Sequence, residues 1–368
     1  SNIASWKLSR ERAVLALDVG DLLVVDEAAM VPTRDLAEIC RHAHERGARV
    51  AFVGDPLQLT SPEAGGIVSD LIGADSSVQL TDVRRFKHAW EGPASLALRD
   101  GNLAAVEVYA AHGRIIEVSS EHAAATLVAD WWDDHRAGRD AVIVADTNSQ
   151  AAELSALVQA QLCDAGIVQP GGVLLMDGNV AGIGDLIQTR LNDSDLVASD
   201  GRMVANRDTW KVVSAGLDGV IAQRANSSAA TVVFPNQYLA NHAQLAYAGT
   251  IHAVQGRTVD IARALITPGS GSSALYVAMT RGRWNNVAYT VTDGHDHEEF
   301  GTGTLSWPQA FAKALGRDDR ERSARATLAE SLDSEASIAT LTAQQADTAR
   351  LAAGQLWHSW AGHNLDRV

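Results

Sequence analysis

The fold of this chain is decided first at residues 22–28, which read LLVVDEA. Four consecutive apolar residues predict a short strand that is buried on both faces, as strands of parallel sheets are. A stretch with helical character, Thr33–Glu45, follows it, and a second apolar run, VAFV, occupies residues 50–53. This β-α-β order predicts a parallel sheet whose ligands bind at the carboxyl ends of the strands, where Asp26 and Asp55 lie.

The strand tips carry residues that suit nucleoside triphosphate hydrolysis. Of the adjacent carboxylates Asp26 and Glu27, one can hold Mg²⁺ while the other orients water, although a solvated acidic strand end would read the same. The stretch VGDPLQL at residues 53–59 adds Gln58, whose amide can hydrogen-bond a γ-phosphate or the attacking water. A plain Gly-Asp-Pro turn is the alternative for this second stretch.

The rest of the chain predicts a second α/β lobe with an insertion. Apolar strands at 141–145, 262–266 and 286–291 and a helix at 150–162 form the second lobe. Short β-rich pieces separated by turns between about 171 and 246 predict a small antiparallel barrel inserted into it. After residue 300 the Ala-rich, charged sequence has helical periodicity, which predicts a helical C-terminal tail.

Composition narrows the class of protein. A hydrophobic fraction of 46% and the absence of a long apolar run predict a folded, cytoplasmic protein with no membrane segment. Cys40 and Cys163 are the two cysteines, too few for a disulfide framework or a four-cysteine zinc site. A net charge of -15 argues against a protein that coats nucleic acid nonspecifically, but leaves room for a locally basic groove.

Three further motifs lie downstream: LTDVRRF at 80–86, GTIHAVQG at 249–256 and YVAMTRGR at 276–283. In order and texture, the five motifs resemble superfamily 1 helicases of the RecD-like branch. They are most similar to the helicase half of conjugative relaxases of the TraI, TrwC and TraA type. The resemblance covers roughly Ile3 to Asp293.

This resemblance implies an α/β fold of two RecA-like parallel-sheet lobes, the first incomplete, with a small SH3-like β-barrel insertion and a helical C-terminal tail. The expected domains are a remnant of the first lobe at 1–78 and a second lobe at 79–175 plus 247–300. The barrel is expected at 176–246 and the helical extension at 301–368.

The resemblance also implies catalytic roles. It makes Asp26 the Mg²⁺ ligand, Glu27 the carboxylate that activates water, and Gln58 the residue that senses the phosphate. Arg85 and Arg281 become arginines of the second lobe that reach the γ-phosphate of ATP. A surface ion pair is the alternative for either arginine.

Two more groups of residues follow from the same resemblance. Asp55, Gln255 and Gly256 are expected to bind the nucleotide. Thr250 and His252 match the motif that contacts the backbone of single-stranded DNA, where small polar groups suit contacts that ignore base sequence. A satisfied buried histidine is the alternative for His252.

One motif of the class is missing. None of the four lysines follows a glycine, so the phosphate loop G-x-x-x-x-G-K-[ST] is absent from these residues. The sequence therefore predicts part of an ATP-dependent DNA helicase, 5′-to-3′ by resemblance, that serves conjugative transfer but is inactive without that loop. Single-stranded DNA and other conjugation proteins are the expected partners. A non-enzymatic DNA-binding or scaffold module, and a RecD-like recombination subunit, are the alternatives.

Overall fold

The structure is a computed structural model, and it describes residues 17–55, 67–71, 77–80, 82–216, 219–225, 230–267, 269–293 and 306–317. The described residues divide into two compact units. The first extends to Gln79 and the second begins at Leu80.

The first unit is a parallel β-α-β arrangement. Strand β1 (Leu22–Val25) pairs in parallel with β2 (Arg49–Phe52), and helix α1 (Thr33–Glu45) connects them. A short helix, α2 (Ile67–Leu71), completes the described part of the unit. The bounds of β1 and α1 are those predicted from the sequence, and β2 begins and ends one residue earlier than predicted. The predicted burial of β1 on both faces is wrong for the described residues, because Leu22 is 57% and Val24 55% exposed.

Helix α1 and strand β1 share one small core. The buried side chains of α1, Leu36, Ile39 and Ala43, follow helical spacing and therefore lie on one face. Leu36 and Ile39 pack with Val25, the last residue of β1, and with Val68 of α2. This core fixes the carboxyl end of β1, where the acidic residues follow.

The second unit begins with helices and two strands that precede an insertion. In chain order these are α3 (Glu91–Arg99), α4 (Ala104–Ala111), β3 (Ile115–Val118), α5 (Ser120–Arg136), β4 (Ala141–Ala145) and α6 (Asn148–Asp164). The short strand β3 is absent from the sequence-based prediction. A four-residue strand next to a long helix gives only a weak pattern.

The insertion is antiparallel. Its elements in chain order are β5 (Val173–Leu174), β6 (Val180–Ala181), β7 (Leu186–Thr189), β8 (Asp193–Val197), β9 (Met203–Val204), β10 (Thr209–Ala215), β11 (Val220–Arg224), β12 (Thr231–Phe234), α7 (Asn236–His242) and β13 (Ala243–Leu245). Five of the strands form a sheet in the order β12-β11-β10-β7-β13, and β5-β6 and β8-β9 form two-stranded ladders. An SH3-like closure of this sheet stays a prediction.

The chain then returns to the parallel sheet. The remaining elements are β14 (Ala248–Thr250), α8 (Ile251–Val254), β15 (Val259–Ile266), α9 (Ser272–Ala278), β16 (Gly282–Val291) and α10 (Trp307–Gly316). The sheet order is β14-β4-β15-β16-β3, with every neighbouring pair parallel. The predicted parallel α/β class is thereby confirmed, and β15 and β16 begin three and four residues earlier than predicted.

Both faces of this sheet are covered. Along β4 the buried side chains alternate between two apolar clusters, with Ile143 in one and Val142 and Val144 in the other. Helix α10 joins the second cluster through Phe311. Within the predicted helical tail, the structure confirms a helix at Trp307–Gly316, and residues 301–305 and those from 318 onward lie outside the described part of the chain. Among the described helices, none is long and apolar enough to cross a membrane.

Candidate active site

The acidic pair lies directly after β1 in a turn with unusual backbone geometry. Asp26 and Glu27 are both exposed. Glu27 has φ 52° and ψ 37°, the left-handed region that residues other than glycine rarely occupy. Its backbone N–H donates to Oδ1 of Asp26 at 2.9 Å. The turn therefore presents both carboxylates at the carboxyl end of the strand, as predicted for a ligand-binding tip.

The next strand tip packs closely against this turn. The N–H of Ala28 donates to the carbonyl of Val53 at 2.9 Å. A Cβ at Gly54 would lie 3.1 Å from the backbone nitrogen of Ala28 and 3.3 Å from that of Ala29, so only glycine fits without displacement. Asp55 follows and is half-buried. Gln58, predicted to sense the phosphate, lies outside the described residues.

The fit of a magnesium ion rests on this acidic pair. In the part of the chain that the structure describes, no group of three or more His, Cys, Asp or Glu residues is arranged to hold a metal. Asp26 can supply one carboxylate, and phosphate oxygens and water would have to supply the other ligands. That division is the usual one for Mg²⁺ bound with a nucleotide.

In the second unit, the two predicted catalytic arginines both hydrogen-bond to Thr280. Arg85 donates from Nη1 to the backbone carbonyl of Thr280, which is 195 positions away in the sequence. Arg281 donates from Nη2 to the hydroxyl of Thr280 at 3.0 Å and from Nε to the carbonyl of Val277 at 2.8 Å. The Arg281 side chain is 2% exposed. Both arginines thus bind polar groups just after the C-terminus of α9, where carbonyls lack helical partners.

A buried amide fixes the chain immediately after Arg281. Oδ1 of Asn286 accepts from the N–H of Gly282 at 2.7 Å, and its Nδ2 donates to the carbonyl of Gly282 at 3.0 Å and to Oε1 of Glu91 at 2.8 Å. Burial raises the pKa of Glu91 above its ordinary value, an effect that the bond from Asn286 opposes. A Cβ at Gly282 would lie 2.2 Å from the carbonyl oxygen of Asn285, so the position requires glycine.

The third predicted group occupies the turn after β14. The Thr250 hydroxyl accepts from the N–H of Ala253 and caps the short helix α8, while His252 is exposed. The exposure contradicts the alternative of a buried histidine, and the contact of His252 with single-stranded DNA stays a prediction. Gly256 has φ +80°, which ends the helix in a conformation that glycine adopts easily.

Gln255 is the most unusual of these residues. It is 3% exposed, and among the residues that the structure describes none hydrogen-bonds its Oε1 or its Nε2. Burying an amide without partners costs free energy, so a position like this usually serves a bound group or water. The donor and acceptor of Gln255 fit the predicted nucleotide-binding role.

Thr280, Asn286 and Glu91 were not among the predicted site residues. Thr280 stands beside a predicted arginine, so the motif at 276–283 already contained a signal for it. Glu91 and Asn286 lie outside the five motifs, and a single glutamate or asparagine has no diagnostic spacing. Only their contact identifies them.

Comparison with known proteins places the chain in a family. A family model described as an AAA domain, AAA_30, matches residues 1–120. A probable conjugal transfer protein TraA from Sinorhizobium fredii is 32% identical over 286 residues, 76% of this chain and 25% of that protein. The conjugal transfer protein TraA of Rhizobium radiobacter is 30% identical over 319 residues, 86% of this chain and 28% of that protein. The chain belongs to the superfamily 1 helicase domains of the relaxase-helicase family.

Further similarities are more limited. This helicase domain spans about a quarter of the length of the two TraA relatives. The RecBCD enzyme subunit RecD of Mycolicibacterium smegmatis is 38% identical over 101 residues, 26% of this chain and 18% of that protein. A crystal structure of Bacteroides Pif1 bound to ssDNA superimposes with a TM-score of 0.47 and 14% identity, over 78% of this chain and 72% of that one.

Proposed function

We propose that this chain is part of an ATP-dependent DNA helicase that translocates 5′ to 3′ on single-stranded DNA during conjugative transfer. The observation that carries the proposal is the meeting of Arg85 and Arg281 at Thr280. Guanidinium groups that act on a γ-phosphate stabilise the charge that develops during phosphoryl transfer. Conjugation, and contacts with other conjugation proteins, enter the proposal through the TraA relatives.

The roles within the proposal follow the chemistry of each residue. Asp26 holds Mg²⁺, which supplies charge neutralisation on the phosphates when it is bound. Glu27 accepts the proton of the attacking water, and Gln58 senses the γ-phosphate. Asp55 and the buried amide of Gln255 contribute to nucleotide binding.

Arg281 is buried against the C-terminal end of α9, and this burial determines how its guanidinium can act on a phosphate. Its bonds to Thr280 and Val277 fix the guanidinium before any nucleotide binds. A fixed guanidinium loses little side-chain entropy when it meets the phosphate. Exchange of one of these bonds for a phosphate oxygen is the step that we propose for Arg281.

The DNA-binding role rests on the turn after β14. The exposed imidazole of His252 and the hydroxyl of Thr250, which caps helix α8, are polar groups that can contact phosphates of any sequence. Replacement of His252 by Ala should weaken single-stranded DNA binding about equally for all sequences. Fluorescence anisotropy against several oligonucleotides of different sequence measures this effect.

The decisive experiment compares ATP hydrolysis with and without single-stranded DNA. The 368 residues contain no lysine phosphate loop, so by themselves they should hydrolyse ATP negligibly. Glu27→Gln in the longest natural form of the polypeptide should abolish hydrolysis and spare nucleotide binding. Glu45→Gln, an exposed glutamate at the end of α1, is the matched control and should leave hydrolysis unchanged.

Two results would contradict the proposal in different ways. Rapid hydrolysis by the 368 residues alone would show that a lysine loop is not required. Unimpaired turnover by Glu27→Gln would remove Glu27 from the mechanism, whereas the absence of turnover in the unmodified longest natural form would favour a non-enzymatic DNA-binding module.

A further inference from the structure

Two segments that are far apart in the sequence run side by side around the arginines. Residues 85–91 carry Arg85 and Glu91, and residues 280–286 carry Arg281 and Asn286. Three contacts join the segments: Arg85 to the carbonyl of Thr280, the N–H of Lys87 to the carbonyl of Arg283 at 2.8 Å, and Asn286 to Glu91 at 2.8 Å. The segment 85–91 is therefore hydrogen-bonded to the segment 280–286 at both of its ends.

The contact between Glu91 and Asn286 is fully buried. Both side chains are 0% exposed. Asn286 uses its acceptor and both of its amide protons, two of these bonds to Gly282 and one to Glu91. Within the described residues no group hydrogen-bonds Oε2 of Glu91. A core that needed only stability would place apolar residues here, because an incompletely satisfied buried carboxylate is unfavourable.

The surroundings of Glu91 do not supply another role for it. Arg114 and His112, which follow α4, oppose the rise in the pKa of Glu91 that burial causes, but its one hydrogen-bonded side-chain partner among the described residues is Asn286. Asn286 in turn determines the direction of the chain at Gly282, the residue after Arg281. A Cβ at Gly282 would lie 3.0 Å from the backbone nitrogen of Ala262 as well as close to Asn285, so this turn packs tightly against backbone atoms.

We infer that Glu91 and Asn286 are positioning residues that hold segment 85–91 in register with segment 280–286, so that Arg85 and Arg281 stay fixed relative to each other. The inference rests on the proposed role of the two arginines in ATP hydrolysis. Neither Glu91 nor Asn286 touches the nucleotide in this scheme. Their loss moves the arginines, and displacement of a catalytic group by about 1 Å can reduce turnover by about a hundredfold.

A reciprocal exchange of the two side chains tests this role. Asn286→Asp places a second carboxylate against Glu91 and removes the donor. It should lower kcat for ATP about tenfold or more, with KM changed less, in the longest natural form of the polypeptide. Glu91→Gln retains an acceptor for Asn286 and should stay close to the wild type. The double variant Glu91→Gln with Asn286→Asp restores a donor and an acceptor across the contact with position 91, although not the bond to the Gly282 carbonyl, and should recover part of kcat.

The control must lose stability without disturbing the contact. Leu98→Ala removes a buried side chain near the other end of the helix that begins at Glu91, without touching the Glu91–Asn286 hydrogen bond, and should lower Tm while keeping kcat close to the wild type below the unfolding temperature. Loss of kcat in Leu98→Ala equal to that in Asn286→Asp would reduce the effect to general destabilisation and overturn the inference. If Asn286→Asp does not fold, Glu91→Ala replaces it, since it removes the acceptor alone.

A second readout separates this inference from the proposed function. Hydrogen exchange at the Gly282 amide, measured on the 368 residues, should accelerate in Asn286→Asp and slow again in the double variant. Arg281→Ala tests the arginine itself. If Arg281→Ala abolishes hydrolysis but the exchange and kcat of Asn286→Asp match the wild type, the positioning role is wrong. If Arg281→Ala hydrolyses ATP normally, the proposed role of the arginine fails, while Gly282 exchange still decides whether the contact fixes the turn.

Discussion

Gly54 provides a sharp test of how the acidic tip is held. Gly54→Ala puts a Cβ 3.1 Å from the Ala28 nitrogen and 3.3 Å from the Ala29 nitrogen, contacts a few tenths of an ångström too short. Both neighbours are backbone atoms and cannot rotate away. The turn must move, which strains the 2.9 Å bond from Ala28 to Val53. We expect overpacking to lower the free energy of unfolding by about 1–3 kcal/mol.

A glycine at the other end of β1 provides the matched control. Gly20 has φ +93° and no atom within 4 Å of its Cβ position, so Gly20→Ala introduces backbone strain of about 1–2 kcal/mol without a clash. Urea denaturation followed by circular dichroism measures both variants. Turnover should fall only in Gly54→Ala, because only this variant displaces Glu27. Stability and turnover of Gly54→Ala equal to the wild type would refute the packing argument.

Three further predictions concern buried polar groups. Gln255→Met should raise the free energy of unfolding by about 1–3 kcal/mol, since it removes a buried amide without partners among the described residues. The same change should weaken nucleotide binding, and calorimetry with and without nucleotide measures both effects. Burial raises the pKa of Asp185 above its ordinary 3.8, so its contribution to stability is full below pH 3.8 and is lost as the pH rises through the raised value. Wild-type stability should therefore fall relative to Asp185→Asn as the pH increases from about 4, and a rising difference in urea titrations would contradict this. Asp208→Ala removes the carboxylate that lies 2.5 Å from the largely buried guanidinium of Arg224, and should lower the free energy of unfolding by about 3–5 kcal/mol. A decrease below about 1 kcal/mol would mean that solvent reaches the guanidinium.

Local patterns predicted the parallel strands and the first helix because these patterns arise within a few residues. The runs at β1 and β4 are apolar throughout, and that continuity predicted burial on both faces of a sheet. The prediction holds for β4 but is wrong for β1 in the described residues, where Leu22 and Val24 are exposed. Helix α1 has its apolar residues at helical spacing, so its bounds could be read directly. The order of the motifs likewise identified the family before any contact was known.

The contacts around Arg281 could not be read in this way. Arg85 meets Thr280, and Glu91 meets Asn286, each across 195 positions, because the chain passes through the whole sheet and its insertion before it returns beside them. Sequence periodicity reports only neighbours within one helix or strand. The sequence by itself thus determined the fold class and the candidate chemistry of the carboxylates and arginines. Only the tertiary structure decided that Arg281 is buried and that Arg85 and Arg281 both hydrogen-bond to Thr280. It alone also decided that the buried side chains of Glu91 and Asn286 contact each other.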